Sequence, residues 1–315
     1  GSLEAAATRG GKAPPVIGVL RSSSMPPARL VTGVEQGVSI VATDFGSTPL
    51  VRAEPAEGMS LAIHPDRAGS PGTEVWLAGL WLAGRLDLAL ARGTVDIRWC
   101  TLAGPGELAI RLPGGGHESL LTRRTVPPAT LELRLYGCIG GTLRVPPWVR
   151  LIAAGCTFDA GSHDGAAIRA FGADVRLRHC TVHGGVEAGE LRASSCAFAG
   201  AVRVDCRDRG WIRHSLLPGD QQTPQQYRCI QSLVSFASIE ATDPGYLVLA
   251  DNNGEAALGA GELGRIPGAH AERRGRLREL EERTADFLPA GMVAHQLDRS
   301  TQDMIRMHRT SRRFS

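Results

Sequence analysis

The chain has one lysine, Lys12; the rest of its 35 basic residues are arginines. Against 32 acidic residues they leave a net charge of +3, too mild to argue for nucleic acid as a partner. The arginine bias fits a GC-rich genome better than a dedicated binding surface. Aromatic residues make up 5% of the chain. No apolar run approaches the ~18 residues a membrane span requires; the longest, Val75 to Gly84, reaches about half that. No charged segment followed by an apolar stretch opens the chain, so no signal peptide is visible, and Gly1-Ser2 reads as a cloning remnant ahead of a piece of a longer parent. Seven cysteines cannot all pair and no CxxC occurs, which argues against a disulfide framework and against a zinc site. No cofactor motif is present. Pro113-Gly-Gly-Gly-His-Glu118 lacks the Lys-Ser/Thr of a phosphate loop, and Asp251-Asn-Asn-Gly-Glu255 lacks calcium-loop spacing.

What the chain does have is a repeat. Five segments share a small or apolar lead residue, a hydrophobe two positions on and a Gly four positions on. They begin at Leu80, Cys100, Cys180, Cys196 and Ser215, with looser copies at Cys138 and Cys156. The steps between leads are 20, 38, 18, 24, 16 and 19 residues, so the period is 19–20 if the long step holds two turns or one insertion. A period-two strand precedes each lead, as in Val175-Arg-Leu-Arg-His before Cys180, with apolar residues alternating with Arg. A second short strand follows, such as Leu143-Arg-Val or Val202-Arg-Val. Short strands at this period predict an all-β fold, a right-handed parallel β-helix. One turn has a contour of about 65 Å, at about 3.3–3.6 Å per residue, which closes a tube wide enough only for side chains.

The lead residues Leu80, Cys100, Cys138, Cys156, Cys180, Cys196 and Ser215 then stack at a tight inner corner, where Cys serves as a small buried side chain. The Gly four residues on is expected to supply the corner's free φ. Boundaries follow: 1–30 as a linker or tag with one lead-in strand, 31–250 as the β-helix, 251–297 as a capping segment, and 298–315 as a flexible basic tail. The cap is an amphipathic helix over Ala269 to Phe287 with Leu277, Leu280 and Phe287 on its stripe, ended by Pro289-Ala-Gly291. The repeat is expected to end after Ser215, with 220–231 a polar excursion.

The stretch from Gly184 to Cys229 carries Asp205-Cys-Arg-Asp-Arg-Gly-Trp-Ile-Arg-His-Ser215 and Gln222-Thr-Pro-Gln-Gln-Tyr-Arg-Cys229. Thr242-Asp-Pro-Gly-Tyr246, Gly261-Glu-Leu-Gly264 and Phe287-Leu-Pro-Ala-Gly291 follow. As a set these resemble a bacterial family of right-handed β-helix proteins associated with phage-tail-like contractile injection systems, over residues 60–295. The resemblance implies a structural or surface-recognition part, with other subunits of a tail-like assembly or a surface glycan as partners. It allows a homo-oligomer, a trimer first, in a cytoplasmic assembly or an extracellular particle. It supplies no catalytic residues. Gln225 and Gln226 stand where the family pattern has an Arg pair, which weakens any acidic partner surface there.

Two other functions compete. A polysaccharide lyase or glycoside hydrolase needs two carboxylates ~5–9.5 Å apart on the outer face. Asp159, His163, Asp164 and His183 form one candidate cluster, with Glu187 and Glu190 nearby; Asp205 and Asp208 form a second. A module binding an anionic glycan or a partner would use an Arg stripe, for which Arg98, Arg150, Arg176, Arg178, Arg192 and Arg203 qualify.

Overall fold

The computed structural model describes residues 16–19, 28–32, 37–42, 50–52, 59–65, 73–103, 107–110, 129–219, 222–240 and 246–269. The chain divides into units Gly1–Ala271 and Glu272–Ser315, and every described residue belongs to the first. The expected helix beyond Ala269, the basic tail and the Pro113–Glu118 loop lie outside the described residues.

Among the described residues twenty-five strands follow one another, most of them short, and every ladder between them is parallel. They fall on three faces of a solenoid. The first face carries Val38–Ala42, Thr73–Ala78, Gly93–Arg98, Leu131–Tyr136, Val149–Ala154, Gly210–Arg213 and Gln226–Tyr227, among others. The third carries Leu50–Arg52, Trp81–Ala83, Thr101–Ala103, Ile139–Gly140, Thr157–Asp159, Thr181–His183, Ala197–Phe198, Leu216–Leu217 and Ile230–Gln231. The second includes Met59–Pro65, Arg85–Leu88, Thr142–Arg144 and Val202–Val204. Two long strands, Ala166–Arg178 and Gly185–Ser194, run round the edge from the second face onto the first and join them into one sheet.

The 38-residue step is one coil with an insertion. Glu132 pairs with Thr94 and Ile139 with Thr101, so no coil lies between them. The solenoid also extends further at both ends than the repeat indicated. Val16–Val19 pairs with Val38–Ala42, making the lead-in strand part of the first coil. Gln226–Tyr227 and Ile230–Gln231 pair with the coil before them, so residues 222–231 form another turn.

Inward residues from all three faces fill one apolar core, from Val38 and Ile40 to Ile212 and Leu217. The described inward positions are filled by these side chains. The lead column is buried throughout, Leu80, Cys156, Cys180, Cys196 and Ser215 completely. Cys229 extends it by one position: Ile230 N–H donates to Ser215 O, as Leu216 N–H does to Cys196 O.

The geometry explains why a thiol or hydroxyl suits this column. Each side chain donates to the carbonyl two residues back, across the corner: Cys100 to Arg98 O (3.4 Å), Cys156 to Ala154 O (3.4 Å), Cys180 to Arg178 O (3.3 Å), Cys196 to Ser194 O (3.3 Å) and Ser215 to Arg213 O (2.7 Å). Leu80 fills the space without that bond. All seven cysteines are free.

The left-handed corner is not the Gly four residues on but the residue before the lead. Gly79, Gly137 and Gly155 take it at φ of 60–70°, and Trp99, His179, Ser195, His214 and Arg228 take it at 49–54°. A non-Gly residue there costs about 1–2 kcal/mol. The ladder bond through each corner holds it in place, as Trp99 N–H to Tyr136 O (2.9 Å) and His179 N–H to Ser194 O (3.0 Å) illustrate. Of the downstream glycines, Gly84 and Gly184 have positive φ; Gly200 and Gly219 do not.

Candidate functional site

After Gln231 the chain doubles back over the outside of the third face. Isolated bridges at Phe236–Leu249 and Ser238–Tyr246 tie this segment to itself. Asn253 pins the turn by accepting from Ser235 N–H and donating to Ser235 O and Ala250 O, at 2.7–2.8 Å. Glu262 N–H reaches Ser195 Oγ (3.1 Å), Gly268 N–H reaches Ser195 O (2.8 Å) and Ala269 N–H reaches Thr181 Oγ1 (3.0 Å). The described part of the capping segment therefore lies along the flank of the later coils. Val234, Leu249, Ala257 and Ala260 pack there on Ala197, Ala199 and Leu216. This explains three outward-pointing polar residues that are nonetheless buried: Thr181, His183 and Ser195.

Asp159 and His183 stand in register on neighbouring coils beneath that cover. His183 Nδ1–H donates to Asp159 Oδ1 (2.7 Å), Gly161 N–H donates to the same oxygen (2.7 Å), and Tyr246 O–H donates to Oδ2 (2.5 Å). Burial pushes the Asp159 carboxyl up, but hydrogen bonds from His183, Tyr246 and Gly161 outweigh it and hold it below the usual range. Burial, then the bond to Asp159, pushes the Tyr246 hydroxyl well up. The His183 ring is sandwiched edge-on between His163 (4.8 Å) and Phe236 (5.5 Å). Tyr246 is 87 residues from Asp159, and nothing local in the sequence announces it. The available hint is compositional: in the later coils of the third face the outward positions Thr157, Asp159, Thr181, His183, Ala197 and Leu216 carry no Arg, unlike the first face.

Beside this network, on the outside, lies an open groove of about 610 Å³ lined by His163, Asp164, Glu187, Arg203, Gly219 and Leu233. His163 Nδ1–H donates to Ala199 O (3.2 Å), and Arg203 faces Glu187 at 3.9 Å. The first candidate cluster is thus split: His163 and Asp164 line the groove, whereas Asp159 and His183 are not among its lining residues. Asp205 and Asp208 are exposed on the loop after Val202–Val204, also outside the groove's lining.

The arginines divide likewise. Arg150 Nε (2.8 Å), Arg176 (3.0 Å) and Arg192 (3.5 Å) converge on the buried Asp174 of the first face. Arg192 also meets Glu190, and Arg150 lies 3.9 Å from Glu132. Arg178 is exposed on the same face, in line with Ser194 and Arg213. Arg203 belongs to the second face with Glu187 and stands outside this stripe. Carboxylates are interleaved with the guanidiniums, so the first face is an ion-pair ladder rather than a bare cationic strip. Among the described residues no group of three His, Cys, Asp or Glu is placed to hold a metal ion, and no helix is long and apolar enough to cross a membrane. Comparison with family models, with curated proteins and with solved structures gives no match in any of the three.

Proposed function

We propose that the protein is a non-enzymatic, rigid recognition or structural element. It is a right-handed solenoid of 19–20 residues per coil, closed by an amphipathic C-terminal helix, and serves as a subunit of a phage-tail-like assembly. Right-handed winding is the expectation for parallel strands joined by crossovers. The observation that carries the non-enzymatic reading is the fate of Asp159. Both its oxygens are engaged by His183, Tyr246 and Gly161, beneath the C-terminal segment rather than at a groove. A general acid or base needs a free proton-transfer position within reach of substrate. Parallel ladders along the whole solenoid and a solid core suit a part that transmits load or presents a surface.

The rival reading, a glycan-cleaving enzyme, keeps one support: Asp164 and Glu187 line the same groove. Incubation with a panel of neutral and acidic polysaccharides, followed by assays for new reducing ends and unsaturated uronates, separates the two. No turnover is expected. Turnover abolished by Asp164→Asn or Glu187→Gln overturns the proposal.

A further inference from the structure

Three of the five tryptophans, Trp76, Trp81 and Trp99, lie on two neighbouring coils around one edge of the solenoid. Trp99 sits at the apex of that edge in the left-handed region (φ 49°) and is 65% exposed. Its indole lies against Gly137 of the next coil. A Cβ built at Gly137 would stand 2.8 Å from Trp99 Cδ1 and 3.2 Å from Nε1. Trp81, 41% exposed, is in register with Thr101, one coil over and two residues from Trp99. On the other side of the edge, Arg98 is held between the half-buried rings of Trp76 (4.4 Å) and Tyr136 (5.1 Å) and is paired at two atoms with Asp96 (2.8 and 3.0 Å).

Large aromatic side chains are ordinarily buried, whereas the corner that Trp99 shares with His179, Ser195, His214 and Arg228 leaves its indole mostly exposed. The ladder bond from Trp99 N–H to Tyr136 O fixes the backbone at this corner, and the absence of a side chain at Gly137 lets the indole lie against the next coil.

We infer that Trp81 and Trp99 form a stacking platform for an uncharged saccharide chain. Ring faces are electron-rich and attract the polarised C–H faces of pyranose rings, while sugar hydroxyls exchange hydrogen bonds with polar groups at the ring edges. Electrostatics favour a neutral chain: Arg98, the guanidinium described at this edge, is neutralised by Asp96 rather than held free for a sulfate or uronate. A protein partner would require an apolar centre within about 800 Å² of buried surface per side. Along this face Trp81 stands between Leu50 and Thr101, with Ile139 one coil further, a narrow column rather than a centre of that size. This inference deepens the recognition reading and rests on it.

The test is titration of the full chain with cellohexaose and with N-acetylchitohexaose, read by calorimetry and tryptophan fluorescence, with mass spectrometry of the sugar afterwards. Saturable binding of at least one probe is expected. Trp99→Gly, which relaxes the corner rather than straining it, and Trp81→Ala are each expected to weaken binding about tenfold or more. Phe171→Ala, at another exposed position, should leave it unchanged. The inference is overturned if neither probe binds the wild type, or if both Trp variants bind like the wild type. It is also overturned if Trp99→Gly instead shifts the oligomer size on gel filtration with no sugar bound. Probe cleavage in the wild type would contradict the non-enzymatic reading while leaving the binding result intact.

Discussion

Replacing Cys180 by Ser should flatten the loss of stability in alkali. Burial pushes the Cys100 thiol up to about 12 and the Cys180 thiol well above its ordinary value. Hydrogen bonding with Cys156, followed by burial, does the same to Cys138. At Cys156 the bond with Cys138 pulls downward, but the bond with Cys180 and burial outweigh it, and its pKa too is raised. The folded pKa values lie above the unfolded one, so these thiols' contribution is complete below about pH 8.5 and is lost as pH rises towards the folded values. Over that window the unfolded chain ionises and the folded chain does not. Each buried thiol then removes about 1.4 kcal/mol per pH unit. The four together remove about 5–6 kcal/mol per unit, so a fold of about 5–15 kcal/mol should fail within two or three units above pH 8.5. Urea unfolding followed by circular dichroism, with reductant present, from pH 7.5 to 10.5 gives the slope. Ser does not titrate in this range, and Ser215 shows that it fits the column and makes the same bond across the corner. Cys180→Ser should lower the slope by about 1.4 kcal/mol per pH unit. Tyr246, whose pKa is also raised, adds to both proteins equally. Parallel slopes for wild type and variant would refute the reasoning.

Three further outcomes test other parts of the structure. Gly137→Ala places a methyl 2.8 Å from the Trp99 ring at φ 60° and should cost about 1–3 kcal/mol by chemical denaturation, with a shift in tryptophan emission. Asp174→Asn removes the carboxylate shared by Arg150, Arg176 and Arg192. The arginines are partly exposed, so the loss should be about 1–3 kcal/mol, largest at low salt; a loss that does not shrink as salt is added would argue against the ladder. Tyr246→Phe deletes one of the donors that depress the Asp159 pKa. Such a carboxylate stabilises above its unfolded pKa of about 3.9 and loses that contribution as pH falls through the folded value. The wild type should therefore lose more melting temperature between pH 6 and pH 3 than the variant does.

The sequence by itself determined the tube. Alternation of apolar residues with Arg, and a lead residue returning about every 19 positions, leave parallel coils as the way to bury one face and wet the other. The buried Cys column followed from that periodicity, because each inward position in a solenoid is a ladder of equivalents. Its donor role across the corner did not follow, since that depends on where a carbonyl points in a left-handed turn. Nor was the turn itself legible: Trp99, His179, Ser195, His214 and Arg228 occupy a conformation that their residue types do not advertise. The last coil escaped because Gln226 and Tyr227 lack the apolar alternation that marks the others. Only tertiary structure decided the candidate sites. Asp159 and His183 were legible as neighbours through coil register, but whether they were open or sealed depended on Tyr246 and Phe236, brought back over the third face by a segment with no repeat. Local periodicity encodes which side of a strand is wet; it carries no information about which distant segment will cover that side.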